Sequence, residues 1–302
     1  MKIRDLWILA LLCSCGADAK NKLYQASDFT QEHEFTTGVE GPAVDVDGQL
    51  YAVNFGKQGT IGIVDEKGNA EHWIDLPEGS IGNGIRFDEK GSMYVADYTR
   101  HNILQVNLKD KKVSVYAHDD RMNQPNDIAI SKNGNLYASD PNWAEGTGNL
   151  WLINTRGEVV LLESGMGTTN GVEVSADENK LYVNESVQRN IWVYDIQEDG
   201  QVGNKRLFYH FDEHGMDGMR VDEKGNLYVA RYGAGQIAML SKKGKLKRNI
   251  DLTGKFPTNV AFGGPTGKTL YVTMQKRGML ERFGVRHKGR SIRLINYDPK
   301  QD

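Results

Sequence analysis

A short motif that ends in tyrosine returns six times along this chain of 302 residues. Each copy is a turn followed by a hydrophobic strand, and successive tyrosines are 43, 43, 45, 46 and 43 residues apart. The six positions are Tyr51, Tyr94, Tyr137, Tyr182, Tyr228 and Tyr271. A period of this length with strand-like alternation is typical of propeller blades rather than of helical repeats. The repeat therefore predicts an all-β fold, a six-bladed β-propeller.

The second repeat shows how one blade is built. Its inner strand is expected at residues 84–87, and a turn leads into the tyrosine-bearing strand at 92–96. Two further apolar, alternating segments follow at 102–106 and 113–116. Four short antiparallel strands are the usual content of a propeller blade. We therefore expect four-stranded blades throughout.

The two ends of the chain are expected to meet in the last blade. Residues 33–41 run in the register that residues 208–218 show, where an outer strand leads into the next blade. This similarity predicts that the N-terminal strand completes the last blade, which would remove free sheet edges and close the ring. The pattern assigns no place to residues 291–295.

An oxygen-bearing side chain precedes each repeated tyrosine by eleven or twelve residues. Equivalent positions in a propeller are related by rotation about the central channel, so these side chains are predicted to form a ring on the axis. Singly, each would be interpreted as a turn or strand-cap residue. Together they offer the hard oxygen ligands that calcium prefers, with two carboxylates to neutralise its charge. The ring consists of Glu40, Asn83, Asn126, Asn170, Asp217 and Asn259.

Composition favours one domain and excludes one class of partner. Apolar residues make up 39% of the chain and the formal net charge is -3. No linker or low-complexity segment interrupts the repeats, so we expect a single domain over residues 20–302. The slight acidity argues against nucleic acid as a partner. A basic cluster at 276–293 is interpreted as a solvated face.

The first 19 residues are predicted to be an export signal. Two basic residues precede the apolar run 6–12, and residues 17–19 offer a cleavage site; the run is too short to span a bilayer. Residues 12–15 also resemble a bacterial lipobox, in which Cys15 would carry a lipid anchor. We therefore expect an exported bacterial protein, either periplasmic or an envelope-anchored lipoprotein. Both cysteines lie in this segment, so no disulfide can cross-link the domain.

Five short motifs stand at residues 40–42, 124–127, 169–171, 216–219 and 257–264. Together they resemble, in order and spacing, those of the gluconolactonase/regucalcin (senescence marker protein) family of calcium-dependent six-bladed propellers. The resemblance runs from about residue 39 to residue 273. It implies that Glu40, Asn170 and Asp217 bind the divalent metal, with Asn126 as a further ligand or a substrate contact.

The chain departs from this family at Gln124, where similar sugar lactonases often carry arginine. A neutral amide cannot supply the charged, forked contacts of a guanidinium. A substrate rich in hydroxyls or bearing a carboxylate would therefore lack the paired hydrogen bonds that arginine provides. We assign substrate contacts to Gln124, Asn126, Asn83 and Asn259. Met216, Met219 and Trp143 suggest a more apolar mouth, with ordinary packing between blades as the alternative.

The predicted function is metal-dependent hydrolysis of lactones or related esters. A cation in the ring would polarise the carbonyl and stabilise the developing oxyanion. Calcium is the expected ion, with zinc or manganese as alternatives. Asp217 is the predicted catalytic residue, either as a base toward water or as a nucleophile. The alternative is a non-catalytic, calcium-stabilised propeller that acts as a binding protein or scaffold.

Other catalytic chemistries lack support in the sequence. There is no Gly-x-Ser-x-Gly elbow, phosphate-binding loop or Cys–His nucleophile pair. His210 and His214 have a spacing that suits zinc on a helix, but here they fall on a strand end and a loop. We interpret them as loop histidines without a metal role.

Overall fold

The computed structural model describes residues 23–290, which form six four-stranded antiparallel sheets arranged as the blades of a propeller. The repeat therefore predicted the fold class correctly. The predicted export signal, Cys15 and residues 291–295 lie outside the described residues. No helix in the described part of the chain is both long and apolar enough to cross a membrane.

The first three blades follow one another in chain order. The first comprises β2 (Phe35–Val44), β3 (Leu50–Phe55), β4 (Thr60–Val64) and β5 (Ala70–Asp75). The second comprises β6 (Gly82–Phe87), β7 (Met93–Asp97), β8 (Asn102–Val106) and β9 (Val113–His118). The third comprises β10 (Ile128–Ile130), β11 (Leu136–Asn142), β12 (Thr147–Ile153) and β13 (Val159–Met166).

The remaining blades have the same order, with one exception in the last. The fourth comprises β14 (Thr169–Val174), β15 (Lys180–Glu185), β16 (Asn190–Ile196) and β17 (Val202–His210). The fifth comprises β18 (Met219–Val221), β19 (Leu227–Arg231), β20 (Gln236–Leu240) and β21 (Leu246–Asp251). The sixth comprises β22 (Pro257–Gly263), β23 (Thr269–Met274), β24 (Met279–Gly284) and β1 (Ser27–Asp28), with a 3₁₀ turn at Gln275–Arg277.

The repeated tyrosine is fixed by the turn of its own blade. In the first blade, Asp45 Oδ1 accepts hydrogen bonds from the backbone N–H of Asp47 and Gln49, each at 2.9 Å. Its other carboxylate oxygen accepts a hydrogen bond from the Tyr51 hydroxyl at 2.9 Å. Gly48 supplies the positive φ of 84° that this tight turn requires. The motif thus ties the inner strand to the second strand.

The hydrophobic core lies between neighbouring blades. One cluster joins Val53 and Ile61 of the first blade to Ile85 and Val95 of the second, all four fully buried. Burial of side chains of this size stabilises a fold by about 1.5–3 kcal/mol each. Each blade therefore depends on its two neighbours, and the inner strands are held rigidly around the axis.

The N-terminal strand closes the ring, as predicted, but the closing residues differ from those expected. Strand β1 pairs antiparallel with β24, with Ser27 opposite Arg282. Residues 33–41 were expected to supply this outer strand; instead, most of them belong to β2, the inner strand of the first blade. The backbone N–H groups of His33 and Phe35 donate to the carbonyls of residues 277 and 278, because this segment crosses from the last blade to the first.

Candidate functional site

The six predicted ring residues all stand at the same end of the inner strands. Glu40, Asn83, Asn170 and Asn259 lie on inner strands, while Asn126 and Asp217 each stand two residues before an inner strand begins. Five of the six, all except Asn259, line a cavity of about 460 Å³. The fold therefore brings residues from different blades to one cavity.

Glycines allow the blades to approach closely at this ring. Gly218 follows Asp217, and a Cβ added there would lie 1.9 Å from the Asn259 side chain of the next blade. Gly41 follows Glu40 with a φ of +53°, and an added Cβ would lie 2.0 Å from the Asn83 carbonyl oxygen. Side chains at these positions would force neighbouring blades apart. The glycines therefore allow the polar tips to converge.

Glu40 is the more tightly held of the two carboxylates in the ring. It is buried, and its Oε2 accepts hydrogen bonds from the Gly41 N–H at 2.6 Å and from Asn259 Nδ2 at 2.9 Å. Burial and the nearby negative charge of Asp127 raise the pKa of Glu40 to about 7, although these hydrogen bonds and one shared with Asp217 oppose the rise.

Asp217 also lines the cavity and is the more exposed of the two carboxylates. Its residue is partly exposed, and the Asn170 amide hydrogen-bonds to its carboxyl group. Burial of the carboxyl and the adjacent charge of Glu40 raise the pKa of Asp217 well above its ordinary value. Its backbone is fixed, because the Asp217 carbonyl accepts a hydrogen bond from Asn184 Nδ2 at 2.6 Å.

The donor set fits a divalent cation that prefers oxygen ligands. Two carboxylates lie in contact in a buried ring, where they repel each other unless a proton or a cation intervenes. The Oδ1 atoms of Asn83 and Asn170 are buried and have no hydrogen-bond partner. Among the described residues, no three His, Cys, Asp or Glu side chains gather as a metal-binding group. The candidate ligands are instead two carboxylates combined with amides.

A second charged layer, which the repeat pattern did not predict, lies deeper in the channel than the ring. Asp127 forms ion pairs with Arg86 at 3.2 Å and with Arg220 at 3.5 Å, and all three side chains are buried. Glu173 pairs with Arg290 at 3.2 Å. The arginines therefore compensate the carboxylates below the ring. One signal was available: Arg86, Glu173 and Arg220 each stand three residues after a ring residue.

The walls of the cavity are partly aromatic. Trp143, which is 40% exposed, lines the cavity with Tyr98 and Tyr232. The Trp143 indole and the Gln124 amide both hydrogen-bond to the Tyr98 hydroxyl. Gln124 itself is half-buried, and its backbone N–H donates to Asp140 Oδ1 at 2.6 Å.

The predicted substrate contacts occupy different positions. Asn83 and Asn126 line the cavity, whereas Gln124 lies beside Tyr98 and Asn259 holds Glu40. Met216 and Met219 are fully buried in the core between blades, so they pack between blades rather than line the mouth of the cavity.

His210 and His214 are exposed, and His210 hydrogen-bonds to Asn190 Oδ1 at 2.9 Å. Neither histidine is among the residues that line the cavity.

Comparisons with known proteins agree with this architecture. The family model described as "SMP-30/Gluconolactonase/LRE-like region" matches residues 13–276. The chain is 28% identical over 295 residues to diisopropyl-fluorophosphatase of Loligo vulgaris, which covers 87% of this chain and 93% of the relative. It is 29% identical over 232 residues to gluconolactonase of Zymomonas mobilis, covering 67% and 64% respectively.

A solved structure shows the same fold. The calcium-binding protein regucalcin from Agrobacterium tumefaciens superposes with a TM-score of 0.76 at 19% identity. The superposition covers 87% of this chain and 95% of that one. At this level of identity the likeness supports the propeller fold.

Proposed function

The chain belongs to the SMP-30/Gluconolactonase/LRE-like family, and we propose that it is an enzyme, a divalent-metal-dependent hydrolase of lactones or related esters. Relatives named as gluconolactonase and pentonolactonase support the substrate class. The observation that carries the proposal is the contact between Glu40 and Asp217 at the floor of a cavity, beside amide oxygens that have no partner.

The metal would be held by Glu40, Asn170 and Asp217, with Asn126 as a further oxygen donor or substrate contact. Because every donor is oxygen, calcium is the ion that the set favours, with zinc or manganese as alternatives. When bound, such a cation supplies a Lewis acid that stabilises negative charge on a carbonyl oxygen.

The two carboxylates have different roles in this mechanism. Glu40 is buried and accepts hydrogen bonds from Gly41 and Asn259, so it acts as a fixed, negatively charged ligand. Asp217 lines the cavity and is the more exposed of the two, so it is the carboxylate placed to meet a substrate or a water molecule. It either takes a proton from the attacking water, or attacks the carbonyl carbon itself, which breaks the ring C–O bond, releases the ring oxygen as an alcohol after protonation by solvent, and leaves an acyl-enzyme. If water then attacks the carboxyl carbon of Asp217, the product of a single turnover in H₂¹⁸O carries an unlabelled Asp217 oxygen. A product that carries ¹⁸O would exclude this form of the covalent route.

A panel of γ- and δ-lactones, aryl esters and phosphotriesters, assayed with and without chelator, tests this function. We expect hydrolysis of at least one lactone, its loss in chelator, and its recovery on addition of Ca²⁺, Zn²⁺ or Mn²⁺. Hydrolysis that persists unchanged in chelator would reject the metal-dependent mechanism. If no substrate turns over while Ca²⁺ still raises the melting temperature, the protein is the non-catalytic, calcium-stabilised alternative.

A further inference from the structure

The charge of the cavity restricts what it can hold. Glu40 and Asp217 are the acidic residues at its floor, and the described residues that line it include no lysine, arginine or histidine. A divalent cation would cancel the charge of the two carboxylates and leave no surplus positive charge. A substrate that carries its own carboxylate or phosphate would therefore lose hydration without gaining a charged partner in the walls.

Many of the polar groups in the walls are already satisfied by the protein. The Ser186 hydroxyl donates to the Met216 carbonyl at 2.5 Å, and the Thr258 hydroxyl to the Val39 carbonyl at 2.9 Å. Asn54 Nδ2 donates to the Gly38 carbonyl at 2.6 Å. A polyhydroxylated sugar needs many free partners for its hydroxyl groups. The bonds that Ser186, Thr258 and Asn54 already make within the protein reduce what these walls can offer to such a sugar.

Aromatic surface faces the cavity on two sides. Tyr98 follows the second strand of the second blade and Tyr232 that of the fifth, which are opposite each other in a ring of six blades. The Tyr232 hydroxyl donates to Gln275 Oε1 at 2.5 Å, and Tyr98 is held by Trp143 and Gln124. With their polar atoms engaged, these side chains present mainly ring surface to a ligand.

We propose, on the basis of the lactonase function above, that the substrate is an uncharged lactone or ester whose aromatic or alkyl substituent packs against Trp143 and Tyr98. Trp143 determines the specificity because its exposed ring offers apolar surface that a substituent can cover. Sugar-acid lactones and anionic lactones are poor substrates for this cavity.

Two lactones with the same ring test this proposal: γ-phenyl-γ-butyrolactone and γ-carboxy-γ-butyrolactone. Hydrolysis is measured with the Ca²⁺-loaded protein, and binding is measured separately by calorimetry. We expect kcat/KM and affinity to favour the phenyl compound by about 10-fold or more. Trp143→Ala should reduce that preference by about 3-fold or more and leave the part that comes from charge, whereas Trp143→Phe, which keeps an aromatic ring, should retain most of it.

Two further variants sharpen the test. Gln58→Lys places a cation on the exposed rim of the cavity and should strengthen binding of the carboxy compound. Trp73→Ala removes a tryptophan from β5, outside the cavity, and should leave the preference unchanged even if it lowers stability.

The outcomes separate this proposal from the proposed function. Binding of the phenyl lactone without hydrolysis of either compound would reject the hydrolase and keep the specificity. Equal affinity for both compounds, preference for the carboxy compound, or an unchanged preference in Trp143→Ala would overturn the specificity even if both lactones are hydrolysed. Failure of both compounds to bind would also overturn it.

Discussion

Asp217 and Glu40 are chemically similar residues in different surroundings. Both line the cavity, but Asp217 is partly exposed, whereas Glu40 is buried and accepts hydrogen bonds from Gly41 and Asn259. Removal of each carboxylate should therefore have a different consequence. Loss of Glu40 should act mainly on metal binding, while loss of Asp217 should also remove the group that acts on the substrate.

Replacement of Asp217 by asparagine should lower kcat by roughly 10²–10⁴-fold at saturating metal, because the amide can neither accept a proton nor attack. The melting temperature of the metal-free protein should not fall, since the change relieves the repulsion with Glu40. Asp212→Asn, an exposed position on the same loop, is the matched control and should behave as the wild type. Full activity in Asp217→Asn would exclude Asp217 as base or nucleophile.

The raised pKa of Glu40 also predicts how the stability of the metal-free protein depends on pH. Burial raises the pKa of Glu40 from 4.5 to about 7, so folding takes up protons between these values. The free energy of unfolding that Glu40 contributes is therefore greatest below its ordinary pKa and declines as pH rises through about 7.

Denaturant titrations should show this decline in the metal-free wild type between about pH 4.5 and pH 7, and a smaller one in Glu40→Gln. Added Ca²⁺ should stabilise the wild type more at the higher pH, where it no longer competes with protons. Equal pH profiles for the wild type and Glu40→Gln would show that Glu40 has an ordinary pKa in the metal-free fold.

At the scale of the strands, glycines after the ring residues decide whether the inner strands can converge. Gly218→Ala should destabilise the fold by about 1–3 kcal/mol, because the new Cβ would overlap the Asn259 side chain that holds Glu40. Gly215→Ala, on the same loop, meets only atoms at 3.4 Å and serves as the control.

Thermal melts and Ca²⁺ titrations of these two glycine variants check the prediction. The Gly218 variant should lose Ca²⁺ affinity as well as stability, since displacement of Asn259 releases Glu40 from its hydrogen bond. A Gly218→Ala protein with wild-type affinity for Ca²⁺ would show that close approach of the blades is not needed for the ring.

The fold could be predicted from the sequence wherever a signal repeats in every blade. The tyrosine period predicted six blades and the strand order within them, because the turn aspartates and tyrosines bond locally, as Asp45 and Tyr51 do. It also identified residues that the fold brings to one cavity. Closure was predicted but assigned to the wrong residues, because β1 is only two residues long and has no pattern of its own.

The parts that were missed depend on contacts between distant blades. Asp127 meets Arg86 and Arg220 from other blades, and no single repeat contains more than one of them. The orientation of Trp143 depends on its hydrogen bond to Tyr98, which a period cannot reveal. Such contacts follow from the closed geometry rather than from local pattern.

At the scale of the whole molecule, closure makes the site possible. Arg277 of the last blade pairs with Asp28 at 2.6 Å and with Glu32 at 2.5 Å, next to the short pairing of β1 with β24. These contacts hold the first and sixth blades together, so that Asn259 of the sixth blade can hydrogen-bond to Glu40 of the first. The ring of proposed metal ligands is therefore complete only in the closed propeller.

Calorimetric titration of metal-stripped protein with Ca²⁺ tests the central claim most directly. We expect one ion bound per chain. Affinity should be at least about 10-fold weaker in Glu40→Gln, a loss comparable to that on removal of groups that hold a metal ligand in place. It should be unchanged in Glu89→Gln, which alters an exposed turn residue. Absence of binding to the wild type, or equal affinity in wild type and Glu40→Gln, would contradict the account.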